Sequence, residues 1–203
     1  MLNYYEWLVD KKSFSLKDLV SSFSWMNEKL AKEQIAFWLE QGYISFKKEK
    51  YEYLKCNSVS LVFLDIDGVL NHTKSNDVID EKCLNNFATI IKETNTLVIL
   101  TSSWKAGWNK NKTKQFDDDA NYLDERLDKV GISIFDKSSR YAYDRCVSVR
   151  DWCMRFCTNS FIVLDDDWQQ YLDTDLEGHL IRTDYYNGGL TTELAQIAIT
   201  LLK

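Results

Sequence analysis

Four apolar residues, Leu61-Val62-Phe63-Leu64, run straight into Asp65-Ile66-Asp67-Gly68-Val69-Leu70-Asn71. The apolar run has the length of a buried strand. A buried strand does not end in two carboxylates unless they are paired or hold a metal. On an extended backbone, positions i and i+2 point the same way, so Asp65 and Asp67 are expected to share one small volume. Crowded carboxylates repel, and a hard divalent cation such as Mg²⁺ relieves that repulsion. Gly68 permits a sharp turn directly after the pair.

The residues beyond position 57 repeat this pattern. Apolar runs at 61–64, 96–100, 132–135, 161–164 and 180–181 alternate with helical stretches at about 80–94, 118–130, 147–157 and from Thr192 onward. Alternation of this kind implies a parallel sheet with helical crossovers. Ligands of open α/β sheets sit beyond the C-terminal strand ends, where this chain places its polar residues: Asp65 and Asp67, Thr101 and Ser102, and Asp165-Asp166-Asp167. The hydroxyls of Thr101 and Ser102 are suited to a phosphate oxygen, and N–H groups at the following helix start can assist. Thr101 adjoins the strand and is the first choice, with Ser102 second. Asn187-Gly188-Gly189-Leu190 reads as a turn before the last helix, capped by Thr191 or Thr192. His72 reads as an exposed loop residue.

The first motif, Asp65-Ile66-Asp67-Gly68-Val69-Leu70 after its strand, resembles that of the haloacid dehalogenase (HAD) superfamily. With the later strand ends, the likeness covers about residues 59–203. It implies a Rossmann-like α/β fold on a parallel five-stranded sheet, and Mg²⁺-dependent phosphatase chemistry. Asp65 would be the nucleophile, Asp67 the acid–base, Thr101 or Ser102 the phosphate contact, and Asp166, or else Asp165, the further metal ligand. The predicted catalytic set is thus Asp65, Asp67, Thr101, Ser102 and Arg145, and the predicted metal set Asp65, Asp67, Asp165 and Asp166. Arg145 is the first choice for the basic residue, with Lys137 and Arg140 open as alternatives. The intervals 71–95 and 104–144 are too short for a capping domain, so an open site on a large substrate is expected. The wording Leu64–Asn71, Thr101-Ser102-Ser103-Trp104-Lys105 and Gly188-Gly189-Leu190-Thr191 is similar to a capless subgroup associated with RNA repair. That likeness favours terminal phosphates of polynucleotides, with a nucleotide or small metabolite as the alternative substrate. The loop 105–114 carries four lysines, and Trp104 and Trp108 could offer a stacking surface for a base.

Residues 1–57 read as a separate module, with 58–203 as the phosphatase domain. Ser13 or Ser15 can cap a helix running to about Phe23, and a second helix starts near Asn27. Gly42 ends that helix, and strand-like runs at 43–46 and 51–54 flank Lys47-Lys48-Glu49-Lys50. The layout resembles a winged helix-turn-helix, which implies DNA or protein contact through residues 1–57. A third reading follows, a regulator whose HAD-like domain senses a ligand; the intact Asp65/Asp67 pair weighs against it.

Charge narrows the partners. The chain carries a net charge of −6, distributed as +1 (nine basic, eight acidic) over 1–57 and −7 (sixteen basic, twenty-three acidic) beyond. Such a balance excludes global attraction to nucleic acid and leaves only local contacts. The five cysteines are odd in number and scattered, which points to reduced thiols; Cys153 and Cys157 lack partners with zinc-ligand spacing. Residues 1–6 lack the features of a signal peptide, and no apolar run reaches membrane-spanning length. A cytoplasmic protein without membrane contact is expected.

Overall fold

The computed structural model describes residues 4–54, 59–111, 115–138, 144–156 and 158–203. By their internal contacts these residues fall into two units. One comprises residues up to Val59 together with Asp151–Asn159, and the other Ser60–Arg150 with Ser160–Lys203.

The first unit runs α1 (Tyr4–Lys11), β1 (Ser13–Phe14), α2 (Leu16–Ser22), α3 (Glu28–Glu40), β2 (Ile44–Lys47) and β3 (Lys50–Tyr53). Ser15, not Ser13, caps α2: its hydroxyl accepts from Asp18 N while the Asp18 carboxylate accepts from Ser15 N, a reciprocal capping box. Asn27 caps α3 by a single bond, its side-chain oxygen accepting from Leu30 N. Strands β2 and β3 form an antiparallel hairpin whose turn residues, Lys48 and Glu49, both have positive φ. Strand β1 pairs antiparallel with β3. Trp7, Phe14, Leu19, Ile35 and Trp38 form the core, and the indole N–H of Trp38 donates to Met154 O at 3.1 Å.

The second unit has the Rossmann-like α/β fold expected from the strand–helix alternation. Its parallel sheet has the order β6-β5-β4-β7-β8, formed by β4 (Val59–Leu64), β5 (Leu97–Leu100), β6 (Ile134–Lys137), β7 (Thr158–Asp165) and β8 (Leu180–Arg182). The register aligns Leu61 with Leu97 and Leu64 with Leu100, so β4 and β5 end level. Helices α4 (Glu81–Thr94), α5 (Asp118–Lys129), α6 (Arg145–Arg155) and α7 (Thr192–Leu202) connect or follow the strands. Val62, Leu64, Val98, Leu100, Ile162 and Leu164 alternate along their strands, and all join one core cluster, as i, i+2 periodicity requires. Phe87 and Ile90 of α4, Leu123 and Leu127 of α5, and Ile199 and Leu202 of α7 complete it. Asp80 caps α4 and Thr191 caps α7.

Strand β6 lies two residues later than its apolar run suggests. Ile132 is buried in the turn that ends α5, where its N–H bonds Leu127 O at 3.0 Å, and Gly131 takes φ +77°. Among the described residues, the interval between α4 and α6 holds β5, a short 3-10 helix, α5 and β6. No helix among them is long and apolar enough to cross a membrane.

Candidate active site

Three strand ends meet at the C-terminal edge of the sheet. Asp65 N donates to Leu164 O at 3.0 Å and Thr101 N to Leu64 O at 2.8 Å. The sheet's own ladder thereby sets Asp65, Thr101 and Asp165 side by side. Asp65 is 4% exposed and Asp165 fully buried. Oxygens of Asp65, Asp165 and Asp166 lie within 4.8 Å of one another.

Arg145, at the start of α6, answers this charge. Its Nη1 donates to Asp65 Oδ2 at 3.0 Å and also to Asp165 Oδ2. Burial disfavours its cation, but Asp65 and then Asp165 outweigh that penalty and hold it above the ordinary guanidinium range. Asp165 also accepts from Tyr171 OH at 3.1 Å and from Asp167 N at 2.9 Å. Burial, followed by the charge of Asp65, nevertheless pushes Asp165 up to about 6. Asp166, half-buried, is raised by the same two causes in the same order.

Three carboxylates gather around one guanidinium. Carboxylate oxygens are hard donors, suited to Mg²⁺ or Ca²⁺. Charge and donor type together fit a divalent cation. Gly68 frames the same spot: its φ is +76°, and a Cβ built there would fall 2.3 Å from the Asp166 carboxylate.

The two hydroxyl candidates differ in their bonding. Ser102 Oγ accepts from Trp104 N at 3.4 Å and caps the 3-10 turn Ser103–Ala106. Thr101 Oγ1 is buried with no hydrogen-bond partner among the described residues, which leaves it available to a ligand oxygen.

Asp67 departs from the expectation of a shared volume. Strand β4 ends at Leu64, and the chain then turns, with Val69 N and Leu70 N both donating to Ile66 O. The i, i+2 rule lapses where the extended backbone stops. Asp67 is exposed and is not one of the three clustered carboxylates. Asn71 Nδ2 donates to its Oδ1 at 2.9 Å, and Trp104 Nε1 to its Oδ2 at 3.1 Å.

Among the basic alternatives, Lys137 directs its Nζ at Lys105 O (2.8 Å) and Trp108 O, tying down backbone rather than facing Asp65. Arg140 lies outside the described residues, as do Lys112 and Lys114. Lys105, one of the four lysines of the loop 105–114, is a second cation near the site. It donates to Ser138 Oγ at 3.2 Å, and its ammonium is lowered by burial first and by Arg145 second, with Asp65 opposing. Its place in the 3-10 turn after β5, invisible to strand and helix periodicity, brings it there. Trp108 is no stacking surface. It is 1% exposed, and its N–H donates to Asp124 Oδ1 at 3.1 Å.

His72 is not an exposed loop residue. Its side chain is 13% exposed, 3.6 Å from Asp80 Oδ2. With Asp80 and Cys83 it forms a second group of metal-type ligands, but the chemistry there is poor. Burial, then Asp80, pushes the Cys83 thiol up to about 11, and Sγ donates to Gly188 O at 3.3 Å. His72 Nδ1 accepts from Lys74 N, which places the ring proton on Nε2, the nitrogen that would have to bind.

A Rossmann-like sheet with this first motif and acidic strand ends defines a HAD-type phosphatase, a hydrolase. The family model described as "HAD domain in Swiss Army Knife RNA repair proteins" matches residues 61–195, and the chain belongs to that family. Comparison with curated proteins and with solved structures gives no match.

Proposed function

We propose that the protein is a Mg²⁺-dependent phosphomonoesterase that works through an aspartyl-phosphate on Asp65. The observation that carries this reading is the meeting of Asp65, Asp165 and Asp166 beside Arg145 and the unpartnered Thr101 hydroxyl. Arg145 holds Asp65 Oδ2 and leaves Oδ1 for attack on phosphorus. As the Asp65 Oδ1–P bond forms, the bond from phosphorus to the leaving oxygen breaks, and Asp67 gives that oxygen its proton. Asp67 then takes a proton from water, which attacks phosphorus, releases inorganic phosphate and restores Asp65. The Arg145 guanidinium, the Thr101 hydroxyl and the Lys105 ammonium stabilise charge on the phosphoryl oxygens. Asp65, Asp165 and Asp166 would hold Mg²⁺, which would supply further neutralisation of that charge.

The favoured substrate is a polynucleotide bearing a terminal phosphate. Two features support this choice: the family's association with RNA repair proteins, and an exposed Asp67 that a large leaving group can reach. Residues 1–57 are read as a winged-helix-like module, on the support of its helix, strand, helix, helix, hairpin order. The start of α3 carries the exposed Glu28, Lys29 and Lys32 and the half-buried Glu33, a mixed set better suited to docking than to gripping phosphates.

Phosphate release from oligonucleotides phosphorylated at either end, from mononucleotides and from an aryl phosphate, each with Mg²⁺ and with chelator, tests the reading. Metal-dependent release with kcat/KM on the order of tenfold or more in favour of oligonucleotides is expected. A preference for mononucleotides of that size would assign a metabolite substrate instead, and release unchanged by chelator would overturn the metal dependence.

A further inference from the structure

Asp67 is exposed, yet both of its carboxylate oxygens are held. An exposed carboxylate in water ordinarily samples rotamers on the picosecond to nanosecond scale. Here Asn71 Nδ2 donates to Oδ1 from four residues onward in the same turn, and Trp104 Nε1 donates to Oδ2 from 37 residues away, beyond β5. Donors on two separate segments leave the carboxylate one orientation.

Each donor is itself fixed. Asn71 Oδ1 accepts from Gly68 N at 2.9 Å. A backbone N–H can only donate and a carboxylate can only accept, so a single orientation of the Asn71 amide satisfies both neighbours. Trp104 has a donor-only indole N–H on a half-buried ring packed against the core cluster, and its backbone N–H donates to the buried Ser102 hydroxyl. Each Asp67 oxygen accepts one of these bonds and keeps a further lone pair, so a transferable proton can sit on Asp67 without displacing either tether.

We propose that Trp104 and Asn71 are positioning residues that hold Asp67 for proton transfer to the leaving oxygen. The proposal rests on the reading of Asp67 as the acid–base. An acid must lie within hydrogen-bond reach of the atom it protonates, and a misplacement of about 1 Å can cost on the order of 100-fold in rate. The need depends on the leaving group. A nitrophenolate departs without a proton, whereas an alkoxide must receive one as its bond to phosphorus breaks and the Asp65 bond forms. In the phosphorylation step the clamp therefore matters for alkyl esters, such as the sugar esters of a polynucleotide, and hardly for activated aryl esters.

The test measures kcat/KM on 4-nitrophenyl, phenyl and benzyl phosphate for the unmodified protein and for Trp104→Phe, Asn71→Asp and Asp67→Asn. Trp104→Phe keeps an aromatic ring and removes the donor, while Asn71→Asp keeps the size and sets a second acceptor against Asp67. Both variants are expected to change kcat/KM, which extends only through the phosphorylation of Asp65, by less than about threefold on 4-nitrophenyl phosphate and to lower it by about 10- to 100-fold on benzyl phosphate. In an Asp67→Asn background, Trp104→Phe should have no further effect, because a packing role would persist there and a positioning role would not.

Equal losses on all three esters, or no loss on any, with Asp67→Asn selectively impaired on benzyl phosphate, would overturn the clamp and leave the acid–base reading intact. If Asp67→Asn itself shows no dependence on the leaving group, or if the unmodified protein hydrolyses none of the three, the underlying reading falls instead. Asn71→Asp keeps the proposal falsifiable should Trp104→Phe fail to fold by circular dichroism.

Discussion

Arg145 is the residue on which the site's charge balance turns. It bridges Asp65 and Asp165, the second of which is wholly buried. Removing one partner of a buried pair leaves an uncompensated charge and typically costs about 3–5 kcal/mol. Arg145→Ala is accordingly expected to lower the urea midpoint strongly without Mg²⁺, and less so with Mg²⁺ present. An unchanged midpoint in chelator would contradict the assigned pairing. Cys83 offers a pH test. Its thiol, pushed up to about 11 by burial and then by Asp80, titrates above its ordinary value. The unfolded chain loses this proton first as pH rises, so the contribution to stability is present at neutral pH and declines through the window from about 9 to about 11. Cys83 should resist alkylation at pH 8 in the folded protein and react once urea unfolds it. Rapid alkylation before unfolding would refute the burial.

At the scale of elements, the site is a product of level strand ends. Strands β4 and β5 finish in register, and the turn after β4 depends on Gly68, whose φ of +76° and closeness to Asp166 both forbid a side chain. Gly68→Ala is expected to destabilise the protein by about 1–2 kcal/mol from the backbone alone. It should also weaken Mg²⁺ binding by displacing Asp166, which calorimetric titration would show; full affinity in a folded variant would speak against Asp166 as a ligand. In the first unit, Ser15→Ala removes a capping box and should cost about 1 kcal/mol in thermal or urea unfolding.

Elements of this kind were legible in the sequence because buried parallel strands read as unbroken apolar runs, and the polar residue ending each run marks the ligand edge. Other features left no local trace. Strand β1 is two residues long and exists through its pairing with β3. Strand β6 is placed by its register with β5 rather than by its most apolar residues. The bond from Trp104 to Asp67 joins segments 37 residues apart, and the turn that exposes Asp67 begins where strand periodicity no longer holds.

Over the whole molecule, the net charge of −6 and the acidic balance beyond residue 57 limit how a polyanionic substrate can be held. Under the proposed function, contact with a polynucleotide would be local, through Arg145, Lys105 and a few neighbours. Steady-state rates on a phosphorylated oligonucleotide should therefore fall less than about tenfold between 50 and 200 mM salt, well short of the loss shown by proteins that neutralise many phosphates. A steeper decline would reveal a basic surface that this reading does not include.

In the proposed mechanism Asp65 carries the phosphoryl group. The most direct measurement is to quench the protein during turnover of 4-nitrophenyl phosphate, treat it with borohydride and map the peptides by mass spectrometry. Hydride reduces an acyl phosphate to the alcohol and releases phosphate, so homoserine is expected at position 65 and nowhere else, and only when substrate was present. An unmodified Asp65 in an enzyme that turns over, together with turnover that survives Asp65→Asn, would contradict the mechanism at its first step.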